Sequence, residues 1–128
     1  LSAFEFYGIG RIIFGRGTVA RAGEFAATLG KSPLLIHNSD AAVDRLLKSL
    51  AGLSPTIRRQ RGEPTIADID ATVEQARRGN CDSVIALGGG SAIDAAKATA
   101  GLLTSGGSAV DYMEVVGNGR KITRPAAP

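Results

Sequence analysis

Ser83-Val84-Ile85-Ala86-Leu87-Gly88-Gly89-Gly90-Ser91-Ala92-Ile93-Asp94-Ala95-Ala96-Lys97 is the stretch on which the fold turns. Residues 83–87 form a short apolar run bounded by turn signals, the pattern of a buried strand in a parallel sheet. Three glycines follow at once, and an Ala-rich helix is expected after them, at about 92–103. Glycine lets a backbone turn sharply through positive φ and approach a ligand with no Cβ in the way. The first amides of a helix lack internal partners and lie at the positive end of its dipole, so they receive an anion. Ser91 adds a hydroxyl donor. A pyrophosphate is the ligand that suits Gly88, Gly89, Gly90 and Ser91.

The match to known phosphate motifs is incomplete. Gly-x-Gly-x-x-Gly would need glycine where Ile93 stands, and no Gly-Lys-Ser/Thr follows as in a P-loop. The plain alternative is a tight strand-to-helix turn with no ligand. Ser91 and Asp94 have the spacing of a capping box, in which Asp94 reaches back to the Ser91 amide. A carboxylate beside a pyrophosphate is repulsive, so Asp94 must point away from it or towards another part of the ligand. Lys97 is placed either to pair with Asp94 or to lie in solvent.

Outward from this stretch the chain alternates. Leu34-Leu35-Ile36 is a second apolar run of the strand type, and Asp40 opens a helix carrying Val43, Leu46, Leu47 and Leu50 and closed by Gly52. Residues 56–61 are a weaker strand. Thr65 starts a helix with Asp68 completing a capping box; Ile66, Ile69, Val73 and Ala76 are its apolar face and Gly79 its end. Earlier, Thr18 reads as an N-cap, Val19, Ala22, Phe25, Ala26 and Leu29 as a helix face, and Gly30 as its stop. Residues 4–7 and 11–14 flank Gly8-Ile9-Gly10 as a β-hairpin, with 3–17 taken as hairpin and glycine turn. Beyond Gly106-Gly107, residues 111–114 fit one helical turn, and 108–128 read as the start of a linker ending on Pro125-Ala126-Ala127-Pro128. The expectation is a single α/β domain over 1–128: a Rossmann-like parallel sheet with flanking helices and an N-terminal β-hairpin.

Composition sets the outer bounds. Apolar residues make up 44% of the 128 and charged residues 21%, a globular balance able to bury a core. The net charge of +3 is small. Arg58, Arg59 and Arg61, with Arg77 and Arg78, read as solvated surface; no massed basic face with interleaved aromatics points to nucleic acid. No apolar run approaches the ~20 residues of a membrane span, and no signal-peptide pattern opens the chain. The lone Cys81 excludes an internal disulfide and fits a reducing compartment, so a cytoplasmic location is expected. His37 is the only histidine and falls at the carboxyl end of a strand, where ligands sit in such sheets. One histidine cannot build a metal site of the usual three or four ligands, and the plain reading is a loop residue with no chemistry.

The run from Cys81 to Lys97 resembles the iron-containing (group III) alcohol dehydrogenase family, whose hallmark is Gly-Gly-Gly-Ser-x-x-Asp-x-x-Lys after a buried strand. Phe14-Gly15-x-Gly17, the Glu63-Pro64-Thr65 turn, and Asp111-Tyr112 followed by the Pro125–Pro128 segment match in the same order, so the resemblance covers essentially the whole chain. It implies a two-domain enzyme: an N-terminal α/β domain that binds NAD or NADP, then an all-helical domain holding a divalent metal, iron or sometimes zinc. By that resemblance Gly88 to Ser91 hold the pyrophosphate, with Asp94 part of the same motif, and Glu63 and Pro64 lie beside the cofactor. Asn38 takes a position, facing the adenosine ribose, where many members carry an aspartate; NAD against NADP is thereby left open.

In that family a Pro-Thr-Thr-x-Gly-Thr-Gly-Ser-Glu segment and the metal-binding Asp and His residues come after the position of Pro128. None lies within these 128 residues. The expectation is therefore a cofactor platform for a small alcohol or aldehyde substrate, inactive by itself, with the helical metal domain absent. Dehydroquinate synthase and glycerol dehydrogenase share the layout and remain alternatives, as does a non-catalytic nucleotide-binding module. A homodimer paired through the hairpin edge is a further possibility.

Overall fold

Leu34, Leu35 and Ile36 are wholly shielded from solvent, because their strand is the middle one of the sheet. The structure, a computed structural model, describes residues 10–128. Strand β1 (Pro33–His37) is flanked by β2 (Thr56–Arg59) and β3 (Ser83–Leu87), both parallel to it, in the order β2-β1-β3. Helices α1 (Ala22–Leu29), α2 (Asp40–Ser49), α3 (Ile66–Arg78), α4 (Gly90–Ser105) and α5 (Ala109–Tyr112) make up the rest, with a 3-10 turn over Thr18–Arg21.

Period-two alternation divides the core between the two faces of the sheet. Leu34 and Ile36 pack with Ile69, Val73 and Ala76 of α3 and with Ala95, Ala96 and Leu102 of α4. On the opposite face Leu35 meets Ala26 of α1 and Leu46 and Leu50 around the end of α2. Covered on both faces, the middle strand has no polar side to show, and it reads as a continuous apolar run. The chain leaves β1 to one side to make β2 and then crosses back to make β3 on the other. The point where that direction reverses lies between the carboxyl ends of β1 and β3.

The α/β alternation and the parallel sheet follow the sequence reading; several details differ. The first arm of the expected hairpin, residues 4–7, lies outside the described residues. Its second arm, residues 11–14, carries no strand among the described residues, since no described strand offers it a ladder. Thr18 is not an N-cap: Gly17, at φ 77°, precedes the 3-10 turn, and the Thr18 hydroxyl donates back to Gly15 O at 3.1 Å. Helix α4 starts earlier than expected, at Gly90, with Gly89 as its N-cap. Thr65 and Asp68 do form the capping box on α3, with the Asp68 amide donating to Thr65 Oγ1 at 3.1 Å and the Thr65 amide to Asp68 Oδ2 at 3.0 Å. The hydroxyl and amide of Thr65, donating to the carboxylate, hold Asp68 below the usual carboxylate range.

A second carboxylate fixes how the strands enter the sheet. Asp82 accepts from the amides of Lys31 at 2.7 Å and Ser32 at 3.0 Å and from Ser83 Oγ at 3.1 Å, tying the approach to β1 to the approach to β3. These bonds, the Lys31 amide foremost, lower its pKa. The chain beyond α5 stays against the domain: Ala127 N donates to Ala100 O at 3.0 Å and Val84 N to Pro128 O at 2.7 Å. No helix among the described residues is long and apolar enough to cross a membrane.

Candidate functional site

The reversal point brings Asn38, immediately after β1, against the glycine turn after β3. Its amide donates to Leu87 O at 3.1 Å, extending the ladder by one residue. Its side chain then bridges to the turn at both ends: Oδ1 accepts from Gly89 N at 3.2 Å, and Nδ2 donates to Ser91 Oγ at 2.9 Å. The carboxamide therefore faces the glycine turn.

The three glycines are there for different reasons. Gly88 has φ 145°, and a Cβ built on it would land on the Asn38 side-chain oxygen. No larger residue fits without breaking that bridge. At Gly89 and Gly90 a Cβ would meet nothing within 4 Å, and both are exposed. Packing does not demand glycine there; an open stretch of backbone does. That stretch is the start of α4, which has 16 residues and no side-chain cap. With the Gly89 amide taken by Asn38, the next amides of the first turn are left to solvent or to a ligand, at the positive end of a fully developed dipole.

Asp94 does not close a capping box, because Ser91 lies inside the first turn rather than at the N-cap. Its carboxylate stands 4.0 Å from Lys97 Nζ, both exposed. Asp94 also lines a largely apolar cleft of about 350 Å³ between α3, α4 and α5, together with Pro64, Thr65, Ile66 and Tyr112. The expected site residues thus fall into two groups. Asn38 and Gly88 to Ser91 are joined by hydrogen bonds. Pro64 and Asp94 share the cleft, one helical turn along α4, with Glu63 exposed next to Pro64.

A third group joins residues that sequence had named only one by one. At the carboxyl ends of β1 and β2, His37 is paired in register with Arg59. Asp40 Oδ2 lies 2.8 Å from Arg59 Nη2, and Asp40 Oδ1 lies 3.8 Å from His37 Nδ1. The imidazole is buried and its Nδ1 has no hydrogen-bond partner. The three-residue step from His37 to Asp40 was a visible signal; the arrival of Arg59 depends on strand register. Among the described residues no group of three or more His, Cys, Asp or Glu side chains is placed to hold a metal ion.

The iron-containing alcohol dehydrogenase family model matches residues 10–128. Alcohol dehydrogenase 4 of Schizosaccharomyces pombe is 32% identical over 124 residues, which is 91% of this chain and 28% of that protein. The crystal structure of NADH-dependent butanol dehydrogenase A from Thermotoga maritima superposes with a TM-score of 0.84 at 26% identity, covering 98% of this chain and 33% of that one. Sulfoacetaldehyde reductase from Bifidobacterium kashiwanohense, solved in complex with NAD+, gives a TM-score of 0.75 at 26% identity over 89% of this chain and 31% of that one. The chain spans about a third or less of the length of these relatives, and over that span its parallel sheet with flanking helices matches their N-terminal portion. It belongs to the iron-containing alcohol dehydrogenase family.

Proposed function

We propose that this chain is the nicotinamide-dinucleotide platform of a metal-dependent alcohol dehydrogenase or aldehyde reductase. The observation that carries the reading is the uncapped start of α4, reached through Gly88 to Ser91 and braced by Asn38 at the reversal point of the sheet. A pyrophosphate placed there meets backbone amides, the helix dipole and the Ser91 hydroxyl region, with no Cβ from Gly89 or Gly90 to keep it away. Pro64 and Asp94 border the neighbouring cleft, and Glu63 stands at its rim; they shape the ground over which the rest of the cofactor extends. The sulfoacetaldehyde reductase relative, solved with NAD+, supports a nicotinamide dinucleotide as the ligand.

The residues described here do not suit a metal, so no chemical step is assigned to one within this chain. When bound, the dinucleotide supplies hydride acceptance or donation at its nicotinamide; the chain's own part is to bind and orient it. The test is titration of the 128-residue chain with NADH, followed by nicotinamide fluorescence. Saturable enhancement is expected, and no change at millimolar cofactor would remove the reading. Alcohol oxidation by the same chain with added ferrous iron is expected to be absent; turnover would show that it is more than a platform.

A further inference from the structure

Arg120, Lys121 and Arg124 gather three positive charges where the chain beyond α5 crosses the C-terminal end of α4. With Ser105, Tyr112 and Thr123 they line a polar cavity of about 160 Å³. Helix α4 has 16 residues and rises about 1.5 Å per residue, so roughly 24 Å of helix separates this cavity from the glycine turn. The basic segment is not a loose tail. Arg120 N donates to Asp111 O at 2.8 Å, Thr104 Oγ1 to Pro125 O at 2.8 Å, and Ala127 N to Ala100 O at 3.0 Å, which pins it at both ends.

The plain alternative is that these cations only cap α4. The carbonyl end of a helix carries about half a negative elementary charge, and here its oxygens are already answered. Arg124 Nη1 donates to Thr104 O at 3.2 Å, and the Tyr112 hydroxyl to Ser105 O at 3.3 Å and Gly106 O at 2.9 Å. Three full charges exceed what that end needs. No carboxylate lines the cavity, and none of the three cations takes part in an ion pair among the described residues. Asp111, nearby on α5, uses its oxygens on the Ser108 amide and on Asn118 Nδ2, both at 3.0 Å. The Arg120 guanidinium stacks over the Tyr112 ring at 5.3 Å and donates no hydrogen bond among the described residues. On the cavity wall Ser105 Oγ is shielded from solvent and has no hydrogen-bond partner, which is rare for a buried hydroxyl.

We propose that this cavity binds the phosphate group of a small anion, with Arg120 and Lys121 as direct contacts and Arg124 closing the wall against α4. A planar guanidinium bonds two phosphate oxygens at once, and an ammonium meets a third as a point charge. The volume equals that of about five water molecules at ~30 Å³ each, enough for one tetrahedral oxyanion and too little for a base or sugar as well. The group therefore enters as free phosphate, or as the end of a phosphomonoester whose remainder stays in solvent.

The test is titration of the isotope-labelled 128-residue chain with inorganic phosphate, against sodium chloride at matched ionic strength, followed by amide chemical shifts. Circular dichroism verifies the fold of each variant. Saturable shifts at Ser105 and residues 120–124 are expected with phosphate and not with chloride. The double variant Arg120→Gln, Lys121→Gln is expected to bind phosphate about tenfold more weakly, and Arg120→Lys alone to lose less. Gly89→Asp, at the far end of α4, is expected to leave this titration unchanged, which separates the cavity from the glycine turn. Methyl phosphate bound as tightly as phosphate would identify the end of a phosphomonoester as the ligand, and much weaker binding the free ion. Shifts that do not saturate, equal shifts with chloride, or an affinity unchanged in the double variant would overturn the proposal and leave the cofactor platform standing. Saturable binding of a short oligonucleotide in place of phosphate would overturn it in favour of a nucleic-acid contact.

Discussion

Helices α3 and α4 both begin near the carboxyl edge of the sheet, both follow a turn rich in glycine or proline, and both carry a hydroxyl and an aspartate three residues apart. Their ends are finished in opposite ways. At α3, Thr65 and Asp68 satisfy each other's backbone amides, and the end is closed. At α4 the same spacing, Ser91 to Asp94, caps nothing, because the helix has already begun at Gly90. The Ser91 hydroxyl faces Asn38 from β1 instead, and Asp94 turns to Lys97 and the cleft. A closed end contributes stability. An open end held rigid from the neighbouring strand is ready for a ligand. The same local motif serves either purpose, and two residues of register decide which.

Gly88→Ala should disturb this contrast most. The new methyl would occupy the position of the Asn38 side-chain oxygen, and the backbone at φ 145° is one that alanine rarely adopts. The loss of stability should be about 2–3 kcal/mol, read by urea unfolding, with cofactor binding lost alongside. A variant as stable as wild type would mean that the Asn38 brace is not what holds the turn.

Exchanging the caps is the next test. Gly89 is extended, at φ −88° and ψ −163°, and a Cβ there meets nothing, so Gly89→Asp can cap α4 without strain. It should stabilise the chain by about 0.5–1 kcal/mol and weaken NADH or NADPH binding at least about tenfold, since the new carboxylate takes the amides a pyrophosphate needs. Unchanged affinity would place the cofactor elsewhere. Thr65→Ala is the mirror experiment: a loss of about 1 kcal/mol in stability, with cofactor affinity falling far less than in Gly89→Asp, since Thr65 only borders the cleft. A loss of affinity as large as that of Gly89→Asp would mean that the α3 end binds the ligand as directly as the start of α4.

Sequence made the sheet and the turn plain for a physical reason. Leu34-Leu35-Ile36 is apolar throughout because helices cover both faces, Val84 to Leu87 are apolar though only partly buried at an edge of the described sheet, and Gly88 to Ser91 follow the second run directly. Thr65 and Asp68 were legible because a capping box is a local contact with a fixed spacing. Asn38 could be placed near the cofactor only through family resemblance. Its actual bridge to Gly89 and Ser91 spans more than fifty residues of chain and depends on β1 lying beside β3. The same holds for Arg59, which as one of several arginines read as solvated surface until register set it beside His37 and Asp40. The Ser91–Asp94 cap, the plain alternative for Asp94, did not form because spacing alone does not say where a helix starts.

Acid gives the smallest effect and the finest probe of the two helix ends. The Thr65 hydroxyl and amide lower the pKa of Asp68, so the cap is favoured by the ionised carboxylate. A carboxylate with a depressed folded-state pKa contributes stability in full above its unfolded value of about 3.9, and that contribution is lost as pH falls through the folded value. Asp82, held by the Lys31 and Ser32 amides, behaves with the same sign. No such group caps α4. The melting temperature should therefore hold from neutral pH down to about pH 4 and fall below it. Asp68→Asn should start lower at neutral pH and fall less steeply in acid, while Gly89→Asp should gain a new acid-labile increment that wild type lacks. If Asp68→Asn follows the wild-type acid profile in parallel, the ionised carboxylate is not what closes α3, and the contrast between the two ends rests on the Thr65 hydroxyl alone.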